Sequence, residues 1–381
     1  MTDIVAELRW RGLIAQSTDD EALREALAQG PVTYYCGFDP TAPSLHHGHL
    51  VQLLMLRHLQ LAGHKAIALV GGGTGLIGDP RMSGERSLNP AETVAEWAQG
   101  LQEQISRFLD FDGDNPALLV NNYDWISELS TIDFLREIGK HFRLGTMLAK
   151  DTVARRLDSE EGISYTEFSY QVLQALDFLE LHQRYGCILQ TGGNDQWGNL
   201  VAGVELIRRH TGKHVHALTT PLITKSDGTK FGKTEGGAVW LDPRMMSPYE
   251  FYQFWINTED ADVERFLKVF TLLTREEITD LVHRSEQKPA ARIGQRALAR
   301  SVTSLVHGVQ ACDDVESASQ ALFGRGELTK LDQATLADAV EQLPSTEMSV
   351  GHDTIVDLLI RTGLCRGRND ARRTVADGGA Y

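Results

Sequence analysis

Three histidines fall within four residues, His46, His47 and His49, with Gly48 among them, directly before the dense apolar run from Leu50 to Leu61. His46 and His49 are three apart, so at helical spacing both project from one face of a first turn. Gly48 leaves room for a flat group against the backbone. A helix N-terminus carrying two imidazole donors suits a polyphosphate whose charge grows during reaction. Surface histidines near a cap are the bland alternative. A zinc site is another, but no third ligand stands at a workable spacing.

A second segment, KSDGTKFGKTEGG (residues 225–237), concentrates lysine, threonine and glycine. Gly232-Lys233-Thr234 ends it like a phosphate loop, yet Asp227 occupies the place where such a loop needs its first glycine. The spacing matters because successive backbone N–H groups must wrap one phosphate. A mobile, lysine-bearing phosphate segment remains the expectation. Gly73, Gly75 and Gly78 spell a dinucleotide fingerprint after the strand-like AIALV, but Asp79-Pro80 follows at once, where the fingerprint should open a helix. A tight turn at a sheet edge, approached closely by a ligand or a neighbouring chain, is the stronger reading, ahead of a dehydrogenase.

These groups need a scaffold. VTYYCGFDP, KAIALVGG, ALLVNN and CILQTGG read as strands that alternate with helical stretches, the pattern of a parallel sheet covered by helices. Residues 130–185 read as a helical insertion, and the first unit is expected to run over 1–222. A loop linker follows at 223–247, a small all-helical domain at 248–323, a polar linker at 324–351 and a new unit at 352–381. That last stretch holds five arginines and no lysine. The fold expected is therefore α/β, a Rossmann-like parallel sheet followed by an all-helical domain and a further small unit.

Composition narrows the function classes. Apolar residues make up 42% of the 381 and charged residues 23%, which excludes disordered, fibrous and disulfide-stapled classes. With 37 basic against 52 acidic side chains the net charge is −15, so any nucleic-acid contact must come from local basic patches. Cys36, Cys187, Cys312 and Cys365 are scattered and no leader-like start is present, which predicts a reducing, cytoplasmic protein.

His46-His47-Gly48-His49 resembles the HIGH signature of class I aminoacyl-tRNA synthetases, and Lys230-Phe231-Gly232-Lys233-Thr234 resembles their KMSKS segment in the KFGKT form of bacterial tyrosyl-tRNA synthetases. YCGFDPTAPSLHHGHL, ALVGGGTGLIGDP, NNYDWI, TEFSYQVLQALDF, GGNDQWGN and SPYEFYQFWIN also stand in that family's order and spacing, across at least residues 1–320. The resemblance implies a two-step reaction: tyrosine and ATP give tyrosyl-adenylate and pyrophosphate, then the tyrosyl group passes to the terminal adenosine of tRNA. It implies Mg²⁺ accompanying ATP, no resident metal and a homodimer, with the 130–185 insertion as its expected interface. A tryptophan-specific relative, a dinucleotide-binding dehydrogenase and a non-enzymatic RNA-binding module are the competing readings.

By the same resemblance, His46 and His49 act on the nucleotide while Lys230, Lys233 and Thr234 act on the pyrophosphate. Gly228, Gly232, Gly236 and Gly237 would give that segment freedom to close. Tyr35 and Asp177 are expected to meet the substrate phenol; Asp79, Tyr170 and Gln174 its ammonium, with Gln196 nearby. Cys36, Gly37, Asp39, Thr41, Gly48, Gln52, Gly193, Asp195 and Lys233 fall on the nucleotide side. Arg86 and the basic stretch from Lys150 through Arg155 to Arg156 would meet the acceptor stem. Residues from 353 on are similar to the start of an S4-like RNA-binding domain, in which Arg366, Arg368, Arg372 and Arg373 would touch phosphate. The family's module is longer, so the chain is expected to stop inside it.

Overall fold

The computed structural model describes residues 3–81, 84–226, 228–229, 231–234, 237–322, 333–341, 344–348 and 352–380; at 151, 233, 234, 334, 338 and 341 it describes the backbone alone. Six strands form one sheet in the order β1-β6-β5-β2-β3-β4. They are β1 Gln16–Ser17, β2 Thr33–Phe38, β3 Lys65–Val70, β4 Leu118–Asn121, β5 Leu189–Gly193 and β6 His216–Thr220. All neighbours run parallel except β1, which pairs antiparallel with β6. From β2 the chain builds outward through β3 and β4 on one side, and later through β5 and β6 on the other. The order therefore reverses between β2 and β5, and the crevice at their carboxyl ends is where such sheets bind ligands.

Period-two alternation explains how one strand serves two compartments. On β2, Tyr34, Cys36 and Phe38 enter the core beneath one set of helices, while Tyr35 enters the core on the opposite face. On β3, Ala66, Ala68 and Val70 share the first core, and Ile67 and Leu69 the second. The covering helices are α1 Ile4–Trp10, α2 Asp20–Gln29, α3 His47–Leu61, α4 Ala91–Ile105, α5 Tyr165–Tyr185 and α6 Trp197–Thr211, with shorter helical turns between α4 and α5. Helix α3 starts three residues earlier than its apolar run suggests, so the histidine cluster forms its first turn. The Gly73-Gly75-Gly78 segment makes only the short 3₁₀ turn Thr74–Leu76, as the following Asp79-Pro80 requires.

Beyond the sheet, β7 Lys233–Thr234 pairs antiparallel with β8 Gly237–Ala238. Five helices follow: α7 Pro248–Ile256, α8 Asp260–Phe270, α9 Arg275–Gln287, α10 Ile293–His307 and α11 Val309–Leu322. Capping boxes start α7 (Ser247 with Glu250) and α9 (Thr274 with Glu277). The helical group is fastened to the N-terminus by Arg11. Its buried guanidinium donates to the backbone oxygens of Lys268 (3.1 Å), Thr271 (3.0 Å) and Leu273 (2.5 Å), thereby satisfying carbonyls that the end of α8 leaves open. Much of the expected linker at 324–351 lies outside the described residues; the helix Gln333–Glu341 lies within it. Two further described helices, Ile355–Arg361 and Arg368–Ala376, fall within the expected last unit.

Candidate active site

The start of α3 is built from its own histidines. His46 is the N-cap, and its Nδ1 accepts from the Gly48 N–H at 3.0 Å; His49 Nδ1 accepts in turn from the His46 N–H at 3.1 Å. This is a capping box in which imidazoles take the places of serine and glutamate. The two rings stack with centroids 4.0 Å apart. Burial pushes the protonation of both below the ordinary histidine range, and at His49 the neighbouring imidazoles push further. With Nδ1 occupied as an acceptor on a neutral ring, the proton sits on Nε2. The cap thus leaves two neutral Nε2–H donors.

The second signature lies beside the first. The segment after β8 runs antiparallel to 45–47: the His47 N–H donates to the Val239 oxygen at 2.9 Å, Leu241 N–H to the Leu45 oxygen at 2.9 Å, and His46 bridges Trp240. Phe231 meets the His47 ring edge to face, centroids 5.4 Å apart. Lys230 lies outside the described residues, as do the side chains of Lys233 and Thr234, whose backbone forms β7.

Across the sheet, Asp177 is buried on α5 with both carboxylate oxygens engaged. Asn122 Nδ2 donates to Oδ2 at 3.0 Å and Trp125 Nε1 to Oδ1 at 2.9 Å. Burial dominates, raising this carboxyl to about 8 despite those two donors. Tyr35 is also buried; burial and the adjacent Asp177 push its phenol well up, and its Oη has no hydrogen-bond partner within the chain. A buried hydroxyl without a partner is costly, by about 1–3 kcal/mol. Two polar groups are therefore poised at the end of an apolar compartment. Gln174 lies one turn before Asp177 on the same helix and is half-buried.

A second polar cluster stands nearer the switch point. Tyr170 Oη and Thr74 Oγ1 each donate to the half-buried Asp39 carboxylate, at 2.7 Å. Burial raises Asp39, while the two hydroxyls hold it down in part. Asp79 accepts from Gln196 Nε2 and Asn199 Nδ2, both at 3.0 Å, and Lys150 Nζ donates to Asn199 Oδ1 at 2.5 Å. Near the carboxyl end of β5, a side chain at Gly193 would run into the Asp195 carboxylate. Gln52 Nε2 donates to Thr220 Oγ1 at 2.5 Å and leaves its own Oε1 buried without a partner. Cys36 and Gly37 lie on β2, Gly48 on the first turn of α3, and Thr41 is exposed in the loop joining these two elements.

Several placements differ from the sequence expectation. Asp39, expected on the nucleotide side, accepts from Tyr170, expected on the ammonium side, so the two groups of residues are joined by a direct hydrogen bond. Lys150 turns inward, where burial lowers its ammonium and Asp79 and Asp195 partly restore it. Arg86 folds back so that Nε donates to the Asp79 backbone oxygen at 2.6 Å. Arg156 is buried against Glu167 at 3.0 Å and donates to the backbone oxygens of Arg81, Gly84 and Gly162, so it fixes the chain after Asp79 and reaches no partner in solvent. Arg155, Arg366, Arg368, Arg372 and Arg373 are exposed. Asn122, Trp125 and Asn199 carry polar contacts that sequence reasoning assigned to no side chain. The available signal was that a carboxylate inside an apolar helix, as at 177, needs donors, and that NNYDWI and GGNDQWGN supply side-chain amides and an indole.

The chain matches the family described as tRNA synthetases class I (W and Y) over residues 27–324. It is 61% identical over 383 residues to the tyrosine--tRNA ligase of Streptomyces griseus, covering 100% of this chain and 90% of that protein. It is 62% identical over 374 residues to the tyrosine--tRNA ligase of Leifsonia xyli, covering 98% and 84% respectively. Among solved structures, a C-terminally truncated mitochondrial tyrosyl-tRNA synthetase of Aspergillus nidulans superposes with a TM-score of 0.77 at 31% identity, covering 85% of this chain and 95% of that one.

Proposed function

The chain belongs to the class I tRNA synthetases of the tryptophan and tyrosine group and is an ATP-dependent tyrosine–tRNA ligase, and we propose that its two signature segments act on opposite ends of one triphosphate while Asp177 and Tyr35 select the amino acid. The observation that carries the selection is the Tyr35 hydroxyl, buried beside a carboxyl whose oxygens are aimed by Asn122 and Trp125. A substrate phenol gives both groups a partner. Phenylalanine leaves the Tyr35 hydroxyl without a partner and brings nothing to the Asp177 carboxyl, and a site built this way rejects the hydroxyl-free analogue strongly; the handful of known cases includes this same enzyme class, at about 10⁵-fold.

In the first step the tyrosine carboxylate attacks the α-phosphorus and pyrophosphate leaves. The nucleophile is already ionised near neutral pH, so no general base is required. Catalysis reduces to placing the reactants and stabilising charge on the transferring phosphate. The Nε2–H groups of His46 and His49 donate to that phosphate as neutral dipoles, and Lys230, Lys233 and Thr234 take the pyrophosphate side. Asp79, Tyr170 and Gln174, joined by Asp39, hold the substrate ammonium, with Gln196 and Asn199 keeping Asp79 oriented. Cys36, Gly37, Thr41, Gly48, Gln52, Gly193 and Asp195 surround the nucleoside. In the second step a ribose hydroxyl of the tRNA terminus attacks the carbonyl carbon and AMP leaves.

Among the described residues no three His, Cys, Asp or Glu side chains are grouped to hold a metal. Mg²⁺ would accompany the triphosphate, keeping most of its water, as it does at many nucleotide sites. Exposed Ile132, Leu135, Leu144 and Leu148, together with Leu118 on edge strand β4, support a homodimer interface formed by this part of the chain. Exposed Arg155 and the arginines at 366, 368, 372 and 373 support contacts to tRNA phosphate. Four buried, unpaired cysteines support a cytoplasmic setting; no described helix is long and apolar enough to cross a membrane. Pyrophosphate exchange with tyrosine, phenylalanine and tryptophan tests the selection: exchange with tyrosine alone is expected, and comparable exchange with phenylalanine would overturn it.

A further inference from the structure

His46 and His49 cap one another, which leaves the middle histidine of the first signature without a role. His47 turns toward the second signature instead. Its ring stands edge to face with Phe231, interplanar angle 88°, and a Cβ on Gly232 would overlap it. Gly232 adopts φ 81°, a left-handed conformation that suits glycine. The ring thus fills the space a side chain at 232 would need. Phe231 is 6% exposed and is set among Phe254, Trp255, Phe266 and Phe270, with ring centroids 4.4 to 5.6 Å away.

We propose that His47 is a positioning residue, a wedge that locks the Phe231–Gly232 pair against the first signature and so fixes the origin from which the adjoining lysines reach the leaving pyrophosphate. The inference rests on the reading of Lys230 and Lys233 as the pyrophosphate-side cations. A chain held on both sides of Phe231, by the aromatic box and by the imidazole, has less conformational freedom left to lose when those ammonium groups engage. Shape, and not charge, does this. Burial and the adjacent His46 bring the His47 ring down to about 4 although a hydrogen bond with the Phe231 backbone pulls the other way, so it is neutral near pH 7, and its Nδ1 is buried with no hydrogen-bond partner. An apolar side chain of similar bulk gives up the bond to the Phe231 backbone but keeps the packing, so it should serve in large part.

The test uses the full chain with His47→Ala, His47→Leu, Phe231→Leu, the His47→Ala/Phe231→Leu double variant, and Lys233→Ala as a control. Steady-state tyrosine-dependent pyrophosphate exchange gives kcat and the KM for ATP; equilibrium dialysis gives the Kd for tyrosine and shows that each variant is folded. His47→Ala is expected to lower kcat about tenfold with the tyrosine Kd within about twofold, and His47→Leu to recover most of the rate. The double variant should lose less than the product of the single losses, because both remove one contact. A His47→Ala enzyme with wild-type kcat, a His47→Leu enzyme as slow as His47→Ala, or fully multiplicative losses would each overturn the wedge. Undiminished exchange by Lys233→Ala would instead overturn the reading of the lysines, so the two failures are distinct.

Discussion

Trp125 Nε1 donates to Asp177 Oδ1 at 2.9 Å, from a strand-end turn onto the middle of a 21-residue helix. The indole, with the amide of Asn122 on the other oxygen, decides which way a buried carboxyl faces. The proposed selection of the amino acid therefore depends on residues outside the helix that carries Asp177.

Replacing Asp177 by asparagine should lower kcat/KM for tyrosine by at least about 100-fold while leaving the small phenylalanine rate within a few-fold, since the lost interaction is with the phenol alone. Trp125→Phe removes one orienting donor and should cost tyrosine roughly 10-fold, the scale of one hydrogen bond to a charged or buried group. Pyrophosphate exchange with both amino acids measures the pair. Equal losses for tyrosine and phenylalanine would contradict the assignment.

Stability should carry the mark of the same carboxyl. Burial raises Asp177 to about 8 from an ordinary 3.8. Between those values the folded chain holds a proton that the unfolded chain has released, so this group's contribution is complete below about pH 3.8 and is lost as pH rises through 8. Urea midpoints at pH 6 and pH 8.5 should fall more for the wild type than for Asp177→Asn. Identical falls would rule out a protonated buried acid.

At His46, structure and chemistry can be separated. Asparagine is a good N-cap and also offers an acceptor to the Gly48 N–H, whereas alanine offers none. His46→Ala should lose about 1 kcal/mol of stability as well as rate. His46→Asn should keep the wild-type Tm yet lose roughly 100-fold in kcat, the usual cost of one donor to a developing negative charge. A thermal scan beside the exchange assay checks this; an asparagine variant with full activity would remove His46 from the phosphate.

Lys233→Ala should slow adenylate formation far more than it weakens tyrosine binding, because its ammonium matters chiefly as the phosphate reorganises. Single-turnover kinetics against equilibrium dialysis separates the two effects. Comparable losses in both would contradict a role confined to the transition state.

Charges placed on exposed apolar residues should dissociate the proposed dimer. Ile132 and Leu144 are 68% and 65% exposed, so Ile132→Asp with Leu144→Asp disturbs little within one chain. Sedimentation at micromolar concentration should shift from a dimer to a monomer of 42.2 kDa. A wild-type chain that sediments as the monomer would refute the interface.

The sheet was legible because its strands are short apolar runs punctuated by glycine and proline, and because β2 alternates between two cores, a signal with a period of two. The histidine cluster was legible as a helix start for the same local reason. What sequence could not supply was the direction of long polar side chains. Lys150 and Arg86 are basic residues in polar surroundings along the chain, which is also how a solvated face reads, yet both fold inward onto groups around Asp79. Asp39 follows the end of β2 beside residues expected to meet the nucleotide, and Tyr170, 131 positions later, donates to it. Such pairings depend on which strand ends the topology brings together, and no local spacing encodes that.

Arg11 adds a consequence for how the protein is made. It leaves the ribosome early, yet the carbonyls that accept its hydrogen bonds belong to residues 268, 271 and 273. Until those emerge, the Arg11 guanidinium has Glu7 as its partner within the first helix, and the clamp to the helical group cannot form. The first half of the sheet can be assembled during translation, but its final seating waits on a helix synthesised more than 250 residues later. A stalled, shortened nascent chain would therefore lack that clamp, and limited proteolysis near the first helix should be faster there than in the finished chain.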